Sequence, residues 1–147
     1  MTDPRRSYRE SLVRGATPVR LVILLYEQII DDLRDAAKAV EVNDVEQRTN
    51  RINHAILIIG HLQSKLNHQA GQGVAGNLDQ FYDMSRRRLS EAQFQRSKEM
   101  IDEQISFYLE LREAWVEVER NQKADLATLP SSIDTIADNR KLMDWKA

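Results

Sequence analysis

Residues Gly71-Gln72-Gly73-Val74-Ala75-Gly76 spell a literal G-x-G-x-x-G, and Glu91 stands at the distance expected of a ribose-binding acid. That pattern holds a dinucleotide only where a strand feeds the glycines and a helix N-terminus receives the pyrophosphate within a parallel sheet. Here a helical apolar pattern precedes the glycines and strand alternation is nowhere sustained, so they read as a connector. His54, His61 and His68 recur at intervals of seven. Ligands of one metal ion on a helix need a spacing of three or four, whereas seven positions set the side chains about 10 Å apart. They read as exposed histidines on a flank almost opposite the core, ahead of a metal or pH-sensing role. No Glu-x-x-His pair offers a di-iron site either. Asp31 with Asp32, and Glu117 with Glu119, lie on polar helix faces, where the raised acidity constants of acid–base catalysis are not expected. Arg86-Arg87-Arg88 makes a basic turn with no interleaved aromatics, a solvated face rather than a nucleic-acid footprint. The chain reads as a non-enzyme, with no catalytic residue, no cofactor and no metal ligand.

The elements that position these residues are helices. Thr17 offers a hydroxyl cap and Pro18 fills the first helical position, where its missing N–H costs nothing. From there to about Val42, residues Val22, Leu25, Tyr26, Ile29, Leu33, Ala36 and Val40 share one face. Asp44 caps a second helix with Val45, Ile52, Ala55, Ile56, Ile59, Leu62 and Leu66 inward, broken by the segment 67–76. A third, expected to be the shortest, spans about Asn77 to Ala92, with Leu78, Phe81, Tyr82 and Leu89 inward and Asp79 and Arg86 outward. A fourth runs from Ser97 to about Gln122 on Met100, Ile101, Gln104, Ile105, Tyr108, Leu111, Trp115 and Val118.

The expected fold is therefore all-α, an antiparallel four-helix bundle over residues 17–122. An N-terminal cap segment, residues 1–16, precedes it. A tail, residues 123–147, carries a weak stripe of Ile133, Ile136, Ala137 and Met143; it either docks as a short fifth helix or stays mobile.

With 147 residues, 41% hydrophobic, the chain can bury one core. A net charge of -2 leaves no field to draw nucleic acid, and the absence of cysteine removes disulfides and thiolate chemistry. The apolar run Leu21 to Leu25 is too short to span a bilayer, so stable membrane insertion is not expected and the reading is a cytoplasmic protein.

Leu21 and Leu24 point away from the core face of the first helix, and Leu57 and, less sharply, Ile58 from that of the second. Exposed apolar stripes are binding surfaces more often than accidents. The alternatives are that the N-terminal segment or the tail covers them, or that they are ordinary surface residues.

Four stretches, in order, resemble the FliS family of flagellar secretion chaperones. They are Ala16-Thr17-Pro18 with Leu21 and Leu24-Leu25-Tyr26-Glu27; Leu66-Asn67 through Gly71, Gly73, Val74 and Ala75 to Asn77-Leu78; Phe81-Tyr82-Asp83 with Arg86-Arg87-Arg88-Leu89; and Leu111-Arg112-Glu113-Ala114-Trp115. Tyr8 occupies the place of a tyrosine common in the family's N-terminal segment. Met84, Ser85 and Gln72 depart from the family pattern, and the resemblance stops near residue 120. It implies a chaperone that binds the disordered, amphipathic C-terminal segment of flagellin in the cytosol, with other flagellar export or regulatory proteins as further partners. Partner contacts would then fall on Tyr8, Leu21, Leu24, Leu57, Ile58, Asn77 and Tyr82. The competing expectation is a helical adaptor or regulatory module that self-associates through the same stripe.

Overall fold

The computed structural model describes residues 4–5, 14–68 and 73–124, with side chains as far as residue 122. Tyr8, the positions 71 and 72 of the glycine motif, and the expected fifth helix lie outside the described residues.

Four helices occur in order: α1 (Pro18–Glu41), α2 (Val45–Ser64), α3 (Val74–Gln95) and α4 (Lys98–Ala124), with no strand pairing into a sheet among the described residues. Each start has a local cause. Thr17 Oγ1 accepts from the Arg20 amide at 3.2 Å, Asp44 Oδ1 from Gln47 at 3.0 Å and Ser97 Oγ from Met100 at 3.2 Å, satisfying amides that a helix N-terminus leaves open. Helix α3 begins three positions before Asn77, because Gly73 takes a left-handed φ of 93° and lets Val74, Ala75 and Gly76 form the first turn. That lengthening corrects the expected order of sizes: α3 has 22 residues and α2, with 20, is shorter.

The contacts between helices fix an up-and-down bundle. Asp32 meets His54 while Asp35 meets Arg51, so α1 and α2 run antiparallel. Gln63 bonds Asp79 and Asp83 across α2 and α3, and Arg86 lies over Gly60 further along. Phe81 packs on Phe107, Ser85 bonds Gln104 and Arg88 pairs with Glu103, which descends α4 as α3 rises. Arg20–Glu119 and Arg112–Glu27 close the ring between α1 and α4. The all-α antiparallel bundle expected from the sequence is observed.

The core gathers Val22, Tyr26, Ile29 and Leu33 with Ile52, Ile59 and Leu62, and with Tyr82, Leu89, Ile101, Tyr108 and Trp115. Helix α1 also buries Ile23, Ile30 and Ala37, a wider arc than one stripe, because both α2 and α4 pack extensively against it. Val45, assigned to the core by its spacing, is exposed at the start of α2, one turn before the bundle closes over that face. Asp79, expected outward, instead accepts from Gln63 Nε2 at 2.7 Å.

Candidate partner-binding site

Three phenols and an indole lie at the centre of the bundle. Tyr26 and Tyr82 share a hydroxyl–hydroxyl bond of 2.6 Å, and Trp115 Nε1–H donates to Tyr26 Oη at 3.2 Å. Tyr108 Oη–H donates to Ser85 Oγ at 2.8 Å, and Ser85 in turn donates to Gln104 Oε1 at 2.6 Å. Burial pushes Tyr26 up to about 12 and raises Tyr82 and Tyr108 as well, so all three stay neutral and act as hydrogen-bonding struts. Tyr82 is wholly buried, and any contribution it makes to a partner passes through what it holds in place.

What it holds is the start of a groove. Phe81, the preceding residue, makes edge-to-face contacts with Tyr82, Phe107 and Tyr108 at centroid distances of 5.8, 6.0 and 5.4 Å. Helices α3 and α4 pack least closely of the four neighbouring pairs. Between them a cleft of about 390 Å³ is walled by Val74, Asn77, Leu78 and Phe81 from α3 and by Phe107, Glu110 and Leu111 from α4. The α3 residues sit at i, i+3, i+4 and i+7 and the α4 residues at i, i+3 and i+4, so each wall is one helix face. An open apolar trough with one polar residue on each wall suits the apolar side of an amphipathic helix.

On the other side of α4, Arg112 Nε and Nη2 both donate to Glu27 Oε2, at 2.9 and 2.6 Å, and Arg20 pairs with the largely buried Glu119. Glu119 thus does not lie on the polar outer face where the sequence reading set it. A second, more polar cleft there is lined by Glu27, Ile30, Asp31, Arg34, Leu109 and Arg112.

The residues singled out in the sequence are not brought together. Leu57 is 70% exposed on the outer side of α2, as expected. Leu21 is half-buried, and Ile58 is buried within the core cluster, where α2 turns further inward than a one-stripe wheel allows. Leu24 is 3% exposed, against expectation, yet it does not belong to the core cluster. Asn77 does line the groove. The residues the sequence reading missed are those that make the trough: Phe107 was not singled out, while Phe81, Leu78 and Leu111 were assigned to the core and Val74 to the connector. The available signal was width, since Phe107, Tyr108, Leu109, Leu111 and Trp115 cover more of α4 than one stripe requires.

His54 is a correction. It is half-buried, and its Nδ1 lies 2.5 Å from Asp32 Oδ2, on a carboxylate that is 0% exposed. Gln28 and Arg51 reach the other oxygen at 3.0 and 3.6 Å. Burial raises the Asp32 carboxyl above its ordinary value, with His54, Gln28 and Arg51 opposing. The expectation of an unperturbed polar-face carboxylate fails because α2 packs over it. Among the described residues no cluster of His, Asp and Glu has the geometry of a metal site, and no helix is long and apolar enough to cross a membrane.

The model of the family described as flagellar protein FliS matches residues 1–122. The chain is 34% identical over 106 residues to a flagellar secretion chaperone FliSB of Pseudomonas aeruginosa, covering 72% of this chain and 84% of that protein. It is 28% identical over 123 residues to the flagellar secretion chaperone FliS of Bacillus subtilis (84% and 91%), and 30% identical over 110 to that of Salmonella typhimurium (74% and 82%).

Proposed function

The chain belongs to the flagellar protein FliS family, and from that membership we infer that it is a flagellar secretion chaperone which holds the C-terminal segment of flagellin in the cytosol, unpolymerised, until export. One observation carries the finer part of this reading: the trough between α3 and α4, walled by apolar side chains at the spacing that receives a helix. Flagellin's terminal segments pair as helices in the filament, so a free segment needs an equivalent apolar partner to keep it from its neighbours. Folding on the chaperone costs ordering entropy, which leaves a net affinity compatible with release.

The remaining contacts lie on the other helices. Leu57 is already exposed, and Asn77 supplies a polar group on the trough wall. In this reading the N-terminal segment with Tyr8 covers Leu24 and the edge of Leu21, and moves aside when the partner arrives. The burial of Leu24 outside the core cluster supports it. Tyr82 and Ile58 act from inside, by setting the positions of Phe81 and Leu57. The shared motifs fit the same picture: Tyr26 meets Trp115, and Glu27 meets Arg112, so they hold the bundle's register rather than perform chemistry.

Calorimetry with a flagellin C-terminal peptide tests this. Binding at tens of micromolar with a negative heat-capacity change is the expected result; a flat titration refutes it. Light scattering of the protein alone addresses the self-associating adaptor, which predicts a dimer that Leu57→Asp dissolves.

A further inference from the structure

The trough has a second candidate occupant within the same molecule. Helix α4 runs antiparallel to α3, with Arg88 opposite Glu103, Ser85 opposite Gln104 and Phe81 opposite Phe107. Carried down that register, the last turns of α4 pass the Val74 end of the trough, and α4 ends beyond it at Ala124. The family match ends at residue 122, and residues 123–147 lie beyond it.

The sequence of that tail suits a return. Leu129-Pro130-Ser131-Ser132 has the residue types that end one helix and begin another, since proline lacks an amide donor and serine accepts from free amides. Ile133, Ile136, Ala137 and Met143 then share a face, with Arg140 among them. As a helix, residues 131–147 would extend about 25 Å, more than the roughly 11 Å of axial rise from Val74 to Phe81. With Ile133 beside Val74, Arg140 stands about 10 Å further up, level with Phe81 and Phe107 and about one turn beyond Glu110, toward which an arginine leaning to its helix N-terminus extends. Glu110 is the trough's one carboxylate, is exposed, and has no ion-pair partner among the described residues.

We propose that residues 131–147 dock as a helix in the α3–α4 trough of their own chain, Ile133, Ile136 and Ala137 against Val74, Leu78, Phe81 and Leu111 and Arg140 on Glu110, and so compete with an incoming partner helix. Tethering makes this feasible with weak contacts, because a short connector gives an effective concentration on the order of millimolar. The docking stands on the trough and the tail alone; the competition rests on the function proposed above.

Hydrogen exchange read by mass spectrometry on the full chain, without any partner, tests the docking. Amides of residues 131–147 should exchange more slowly than an unstructured peptide. Ile136→Asp should cut that protection roughly tenfold or more, from the loss of one buried aliphatic side chain. Glu110→Arg should cut it about two- to fivefold, as for an exposed ion pair, and Arg140→Glu added to it should restore it. A tail exchanging at the unstructured rate overturns the proposal. So does protection indifferent to both Glu110 variants, or protection that grows with protein concentration, which would place the tail on a second copy. For the competition, Ile136→Asp should tighten flagellin-peptide binding in calorimetry; equal affinity overturns that part. A peptide that binds neither form sinks the function proposed above and leaves the exchange experiment to decide the docking.

Discussion

Replacing Tyr26 by Phe removes one oxygen and disturbs two partners. Tyr26 Oη accepts from Trp115 Nε1–H and bonds Tyr82 Oη, and Tyr26 and Tyr82 are both sealed from solvent. Deleting it leaves an indole N–H and a phenol hydroxyl without those partners in the core, each worth about 1–3 kcal/mol in lost bonding and desolvation. Some relaxation is expected, so Tyr26→Phe should destabilise the bundle by about 2–4 kcal/mol. Tyr82→Phe breaks the same hydroxyl pair but leaves Tyr26 still accepting from Trp115, and should cost only about 1–1.5 kcal/mol. Both substitutions delete one shared bond, so the double variant should cost less than the two singles together, by about 1 kcal/mol. Urea unfolding followed by far-ultraviolet circular dichroism gives these differences, provided the slopes agree between variants. The ordering should persist into alkaline solution, because burial pushes Tyr26 up to about 12. Should Tyr82→Phe prove as costly as Tyr26→Phe, or the two add fully, the bridging role assigned to Tyr26 is wrong.

Burial raises the Asp32 carboxyl above 3.8, so the native state holds its proton into a range where the unfolded chain has lost it, and the group's contribution to stability falls as pH rises through that window. Asp32→Asn removes this dependence, and its urea midpoint relative to wild type should climb from pH 4 to pH 7; a flat or falling difference contradicts the assignment. Gly73→Ala forces a side chain into φ 93° and should cost about 1–2 kcal/mol, whereas Gly76→Ala, inside α3 with open space at its Cβ, should stabilise by up to about 1 kcal/mol, both read from thermal midpoints. Phe107→Ala in the trough wall should weaken flagellin-peptide binding roughly tenfold by calorimetry while leaving the helical signal intact.

The sequence pattern carried the helices and their starts well, and the reason is local. Thr17-Pro18, Asp44 and Ser97 cap by hydrogen bonds that reach only three residues, and the stripes through Tyr26, Ile59 and Trp115 obey one helical period. Where a feature depended on how two helices meet, spacing misjudged it. His54 was set on an exposed flank, yet it closes on Asp32, a carboxylate that α2 covers. Leu24 was set in solvent and is buried, while Leu57 stayed exposed, although both lay outside their helix's main stripe.

The amino-acid sequence alone determined the four described helices, their approximate limits, the one-core bundle and, through its ordered motifs, the family; each of these is written in short-range periodicity, capping chemistry or residue identity. The tertiary structure alone decided where the molecule is open. A trough exists between α3 and α4 because that pair packs least closely, with Phe81, Tyr108 and Phe107 between the two helices, and the spacing of a pair is something no single helix encodes.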